Sequence, residues 1–351
     1  MDAARKVFTA DSLGLRRGLN PDDPSATIAY FINGNTTFEL DITQSFDFPT
    51  VYHHRNKLSK LGIERITDDL FARRRELIVE MSDLYIAAAY NGALVQLLEH
   101  RSASLENVLK LSKKAVEIGD QTILDLMQSR SMTAESRSLL LSARSEYDQA
   151  VRQLTALAGG YEMAVQPNAY PAFAFSGDCG DFISAAMAGD YAMRAAVTDS
   201  LIAARTLRLG RSEWLPRLVA GYRLNLDAGS PSHAVIAGVS IPLWQNRGNV
   251  KHAKAQIAAA RAVKADTESR LRVSLENLYS RYEAADRALE GYNSADMQYP
   301  QMLGKVVDGG GITSIEYLLA LVDWYEIEQD RIALEYQRAM AGARMSIFLA
   351  D

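Results

Sequence analysis

The chain has 351 residues, 48% of them apolar, and a formal net charge of −5, enough for a sizeable core in one large domain or two ordinary ones. The charge excludes a global basic footprint for nucleic acid, and the lone Cys179 excludes an intrachain disulfide or a cysteine-rich metal site. No apolar run approaches the roughly 18 residues of a membrane helix, and "MDAARKVFTADSLGL" at the N-terminus lacks the apolar stretch of a secretory signal.

Taken alone, those features describe a soluble protein. The elements in chain order point elsewhere. The segment "ATIAYFINGNTTFELDITQSFDF" carries two strands around Asn33-Gly34-Asn35, a strong hairpin signal. Its second strand alternates cleanly. Phe38, Leu40 and Ile42 point one way; Thr37, Glu39, Asp41 and Thr43 point the other. From about residue 50 to 118 there is no proline after Pro49 and only two glycines, Gly62 and Gly92, so one helix of roughly 100 Å is expected. Gly119 ends it, and a return helix is expected over about 122–158. "GGYEMAVQPNAYPAFAFSGDCGD" is an irregular connector.

A helical pattern then begins near Asp181. It leads into a second hairpin, in which Leu218, Ala220, Tyr222 and Leu224 oppose Arg217, Val219, Gly221 and Arg223, and "DAGSPS" turns the chain into "HAVIAGVSI". A long helix is expected over about 248–307, interrupted at Pro300. After the turn "DGGGITS" a return helix runs to the C-terminus.

The second half repeats the first. "MDAARKVFTADSLGLRRGLNPDDPSATIAYFIN" from residue 1 aligns without gaps on "MRAAVTDSLIAARTLRLGRSEWLPRLVAGYRLN" from residue 193, with nine identities, among them Gly18 and Gly210, Pro24 and Pro216, and Tyr30 and Tyr222. Ordinary composition would give about two. Two structural repeats follow: residues 1–166, with a hairpin at about 25–48 and long helices at about 50–158, and residues 181–351, with a hairpin at about 215–241 and long helices at about 248–350. Residues 167–180 connect them. Met1 aligns with Met193, inside a helical pattern. Either residues are missing upstream, which is the expectation here, or a helix simply starts there.

The alternating strands fit a half-buried soluble sheet as well as the wall of a membrane barrel, apolar outside and polar inside. Strands of about ten residues suit a tilted membrane crossing. Trp214 and Trp244 flank the second hairpin at its open end and Tyr52 follows the first, as interface aromatics do. In a barrel, Phe38, Leu40 and Ile42 would face lipid, and Glu39, Asp41, Arg217 and Arg223 would line the lumen. Four strands cannot close a barrel, since the smallest membrane barrels use about eight, so chains would have to share one. Helix pairs this long have no globular core to cover and must pack as coiled coils with neighbours.

Several motifs carry no chemistry. His53 and His54 lack a helper carboxylate four residues on and read as polar residues at a barrel rim. Gly309, Gly310 and Gly311 are not a phosphate loop, because no Lys-Ser/Thr follows. Arg73, Arg74 and Arg75 read as a solvated or ion-paired helix face. No triad spacing or framed carboxylate pair is present, so no enzyme and no cofactor are expected.

The strand, Pro242 and long helix with "NRGNVKHAKAQIAAARA", the run "VVDGGGITSIEYLLALVDWYEIEQDRIALEYQRAM", and "QSFDFPTVYHHRNKLSKL" in the first repeat together resemble the outer-membrane efflux channel (TolC-like) family, in a Bacteroidetes-type form. The resemblance covers nearly the whole chain. It implies a mostly α fold with a small β part: duplicated long helical hairpins forming an α-barrel, and two β-hairpins contributing to a shared trimeric membrane β-barrel. It implies a homotrimer in outer-membrane lipid with a periplasmic tunnel, a passive conduit with no nucleic-acid partner. The hairpin tips, around Val116, Gly119 and Thr122 and around Val306, Gly311 and Ser314, would dock on a periplasmic adaptor that links to an inner-membrane pump. Asp120 and Asp308 at those tips would then form an acidic ring at the entrance, or remain solvated turn residues. The family normally begins with a signal peptide and a first helical stretch, and this sequence shows neither. The competing expectation is a soluble coiled-coil scaffold whose small hairpins dimerise.

Overall fold

The computed structural model describes residues 2–17, 19–33, 35–173, 175, 177–227, 230–242, 248–292 and 314–350. In chain order the elements are α1 (Asp2–Arg17), β1 (Ser25–Asn33), β2 (Asn35–Phe46), α2 (Pro49–Glu117), α3 (Ile123–Leu157), α4 (Cys179–Ala188), α5 (Tyr191–Ser212), β3 (Arg217–Asp227), β4 (Ser230–Ser240), α6 (Asn249–Tyr292) and α7 (Ser314–Leu349). The order helix, two strands, long helix, return helix occurs twice. The fold is mostly helical with one small antiparallel sheet, as expected.

Pro49 opens α2, a position where its missing N–H costs nothing, and 69 residues follow in one helix. Gly62 is tolerated inside it for a local reason: a Cβ there would lie 2.8 Å from Leu15 Cδ1 of α1. The pattern read as one helix from Asp181 is two. α4 stops at Ala188 and Asp190 caps α5, its carboxylate accepting from the Met193 N–H at 2.9 Å. The apolar period continues across the break, so periodicity alone could not show it.

The chain forms two compact units, each drawing on both repeats. The first comprises residues 1–74 and 190–271 and holds the sheet. In it, α2 and α5 run antiparallel. Arg65 forks onto both oxygens of Asp199 at 3.1 Å, Arg194 reaches Asp68 at 2.9 Å, and Phe71 stacks on Tyr191 with centroids 5.6 Å apart. Burial pushes the Asp68 carboxyl above the ordinary carboxylate range, against the pull of Arg194.

The second unit comprises residues 75–189 and 272–351 and is packed from helices. Leu105 and Val108 of α2 close on Leu318 and Val322 of α7, with Met132 of α3 against them. Leu94 and Leu98 meet Ala143 of α3, and Ile86 meets Ala339 and Ala343 of α7. Between α2 and α3 the seam is made of small polar residues. The Ser112 and Ser129 hydroxyls are 3.2 Å apart, Thr133 donates back to the Ser129 carbonyl at 2.7 Å, and Ser136 is fully buried. Small side chains let two helix backbones come close. Arg137–Glu106 (2.8 Å) and Arg144–Glu99 (2.6 Å) cross the same pair on the exposed side.

Candidate functional site: an open-edged sheet and a helical tip

The four strands form one antiparallel sheet in the order β1-β2-β3-β4. Register fixes which residues share a face, because paired residues point to the same side. Leu40 lies between Ile28 and Leu224, Ile42 between Ala26 and Tyr222, and Phe38 between Tyr30 and Leu226. On β4 the same face continues through Val235 and Val239. This face is apolar and uncovered: Ile28 is 65% exposed, Leu218 51%, Val239 62% and Val235 85%.

The opposite face is charged and internally paired. Glu39 and Asp41 on β2 face Arg223 on β3. Arg223 forks onto Asp41 at 2.7 and 2.6 Å and reaches Glu39 at 2.8 Å. Arg217 reaches Asp47 at 2.9 Å and Asp22 at 3.4 Å. All four residues expected on the polar face lie there, and all three expected on the apolar face lie opposite them. Phe31 pairs with Thr37 and so breaks the polar face at its far end.

Asp47 was not singled out by sequence. It is buried between β2 and α2, and Arg55 of α2 (2.8 Å) and Arg217 of β3 (2.9 Å) share its carboxylate. An acid just before the helix-opening "FPT" is a weak signal, and one of its two partners, Arg217, comes from a distant segment. Tyr52 stands at this joint, its hydroxyl accepting from the Asp47 N–H at 3.1 Å and its ring 5.8 Å beneath Arg55. Trp214 is exposed between α5 and β3. Trp244 lies outside the described residues.

β1 and β4 form the two edges of the sheet. Each presents a row of backbone donors and acceptors with no strand partner among the described residues. In hydrocarbon such groups must be paired.

The first helical tip is a tight reversal. The Asp120 N–H bonds the Ala115 carbonyl at 2.8 Å, and Gly119 takes φ +80°, a conformation that favours glycine. Thr122 then caps α3 in a reciprocal box with Asp125, at 3.2 Å from the Asp125 N–H and 3.0 Å back to the Thr122 N–H. Val116 is half-buried and Asp120 exposed. The tip also presents Ile118 (79% exposed), Ile123 (67%) and Leu124 (72%), which sequence reading passed over. At the second tip, Val306, Asp308 and Gly311 lie outside the described residues, and Ser314 opens α7.

His53 and His54 meet edge-on with centroids 5.6 Å apart. Among the described residues no three His, Cys, Asp or Glu side chains converge on a point.

Residues 34–160 match the family model described as outer membrane efflux protein. No curated protein matches the chain. Solved structures match over almost its full length. The outer-membrane channel OprN superposes with a TM-score of 0.80 at 17% identity, over 99% of this chain and 86% of that one. The open state of the MtrE outer-membrane channel of Neisseria gonorrhoeae gives 0.77 at 15%, over 98% and 83%. The CmeC outer-membrane channel of Campylobacter jejuni gives 0.75 at 14%, over 99% and 82%.

Proposed function

We propose that this chain, whose residues 34–160 match the outer membrane efflux protein model and whose fold is that of solved outer-membrane channels, is the outer-membrane conduit of a tripartite efflux or export system. The domain and the fold are those of channels, not of enzymes. The observation that carries the reading is the sheet: four strands, both edges open, one face apolar and exposed, the other charged and paired.

Three copies would join β4 of one chain to β1 of the next, giving twelve strands and no edge. The apolar face then meets lipid and the Arg223–Asp41–Glu39 group lines the lumen. Tyr52 and Trp214 then sit at the interface level, the role assigned to Trp244 as well from its place in the sequence. The helices extend into the periplasm as a tunnel. No step of chemistry is needed; an inner-membrane pump supplies the energy through a periplasmic adaptor.

Adaptor docking falls to the helical tips. The apolar trio Ile118, Ile123 and Leu124 supports this at the first tip, beside Val116, Gly119 and Thr122. Val306, Gly311 and Ser314 are assigned the same role at the second, and Asp120 and Asp308 the acidic ring at the entrance. The scaffold alternative needs polar residues where Ile42, Tyr222 and Val239 stand exposed.

The test is assembly and conduction together. The purified protein, extracted in detergent, should size as three chains and open discrete ion-conducting steps in planar bilayers. A soluble monomer or dimer without conductance overturns the reading.

A further inference from the structure

The antiparallel pairing of α2 and α5 brings the start of one helix to the end of the other, directly below the sheet. Along most of this pairing, charges are matched. Arg65 holds Asp69 and Asp199, and Arg194 holds Asp68. On the sheet side they are matched again: Asp47 is shared by Arg55 and Arg217, and Asp41 and Glu39 hold Arg223.

Between these two balanced zones the sign is uniform. Lys57 of α2 and Arg205 and Arg208 of α5 make no ion pair among the described residues. The register that sets Arg65 against Asp199 and Asp68 against Arg194 brings Lys57 level with Arg205 and His54 level with Arg208, so the three cations gather about His54. Burial first, then His53, Arg205, Arg208 and Lys57 in that order, hold the His54 imidazole below its ordinary pKa. Its Nδ1 is buried with no hydrogen-bond partner. Lys57 and Arg208 are exposed and open to a ligand from solvent, while the buried His54 Nδ1 beside them lacks the hydrogen-bond partner that a buried polar atom normally has.

We infer that His53, His54 and Lys57 of α2, with Arg205 and Arg208 of α5, form a cradle for a phosphate group. Guanidinium forks match phosphate oxygens two at a time, Lys57 adds a point charge, and the orphan His54 nitrogen gains a partner. Two sources share this chemistry: the headgroup of an anionic phospholipid and a free phosphate ion. Position favours the first. Lys57 lies about 12 Å along α2 from Pro49, and Arg208 is one turn from the end of α5. A headgroup layer is about 5–8 Å deep, so if the apolar strands span the hydrocarbon these long side chains reach it by extending toward the sheet. The lipid source therefore rests on the membrane reading above; the cradle itself does not.

The test uses purified protein and two probes. Native mass spectrometry in detergent measures retention of phosphatidylglycerol against phosphatidylcholine. Thermal melting measures protection by inorganic phosphate. The variants are the triple Lys57→Gln, Arg205→Gln, Arg208→Gln, the single Lys57→Gln at an exposed site, and a control that removes charge from the same helices, Lys60→Gln with Arg211→Gln.

For a lipid headgroup, native protein should favour phosphatidylglycerol, with affinity falling about fivefold for the single variant and about a hundredfold for the triple at low salt. The control should keep most of the preference. For a free ion, phosphate should raise Tm in the native protein and the control but not in the triple, without lipid preference. Equal binding of both probes by native and triple variants overturns the cradle, as does an equal loss in the control. The single variant decides if the triple fails to fold. A trimer that conducts but shows no cluster-dependent binding sinks the cradle alone. A chain that never inserts, yet binds phosphate through these residues, sinks the channel reading and leaves the cradle standing.

Discussion

The sheet and the helical unit use the same apolar residue types with opposite outcomes. In the helices, Leu105, Leu318 and Met345 are completely sealed, and charges such as Glu106 and Arg137 ride outside. In the sheet, Ile28, Tyr222 and Val235 stand open while the charged face closes on itself through Arg223 and Arg217. A period of two or of 3.6 says only that two sides differ. Which side meets water is decided by what the other side holds. Here the carboxylates Glu39, Asp41 and Asp47 each hold a guanidinium, which suits the confined aqueous lumen proposed for this face, and the exposed apolar reverse suits the proposed contact with lipid.

The largest expected effect lies in the helices. Leu105→Ala should cost about 2–5 kcal/mol, because Leu105 joins α2 to α7 with no exposure and the cavity cannot collapse fully. The loss should be the same in detergent and in lipid, measured as thermal or denaturant stability of the purified protein. A loss that depends on the bilayer would mean the two regions are not energetically distinct.

The sheet should behave the other way. Leu40→Arg is expected to cost about 2–4 kcal/mol in a bilayer, if Leu40 sits near mid-membrane, and much less in detergent, whose headgroups can follow the charge. Ser232→Arg, on the charged face of β4, should be nearly neutral in both. Folding yield into vesicles, titrated with denaturant, measures the contrast. Equal penalties at the two sites would remove the distinction between the faces.

How much of this was legible in the sequence follows from how local each signal is. The faces of β2 and β3 were readable because alternation is a local property, and the register between the two strands agrees with them. α2 was readable because proline and glycine punctuate helices locally. Thr122 and Asp125 are a capping signal within four residues. The break at Gly189–Asp190 was missed because the apolar period runs through it and only the Asp190 cap marks it. Asp47 and the Lys57–Arg205–Arg208 group could not be read at all. Asp47 with Arg217, and Lys57 with Arg205, lie about 150 or more positions apart, and their meaning depends on which charges are already paired. The apolar tip trio was legible in principle, since Ile118, Ile123 and Leu124 flank a glycine turn. They were passed over because apolar residues at helix ends read as core.

The smallest effect sharpens the comparison within the helical pairing itself. Asp68 is buried, and its folded pKa is raised by that burial despite Arg194. A carboxyl raised on folding contributes stability below its unfolded pKa and loses it as pH rises through the folded value. At neutral pH the buried charge is therefore a small liability. Asp68→Asn should melt slightly higher than the native protein at pH 7, and the gap should shrink as pH falls toward about 4 and stay constant below it. Thermal melts from pH 3 to 8 read it directly. If the variant melts lower at pH 7, the Arg194 pair outweighs the burial cost, and this stretch of α2 and α5 is held by its charges, as the polar face of the sheet is.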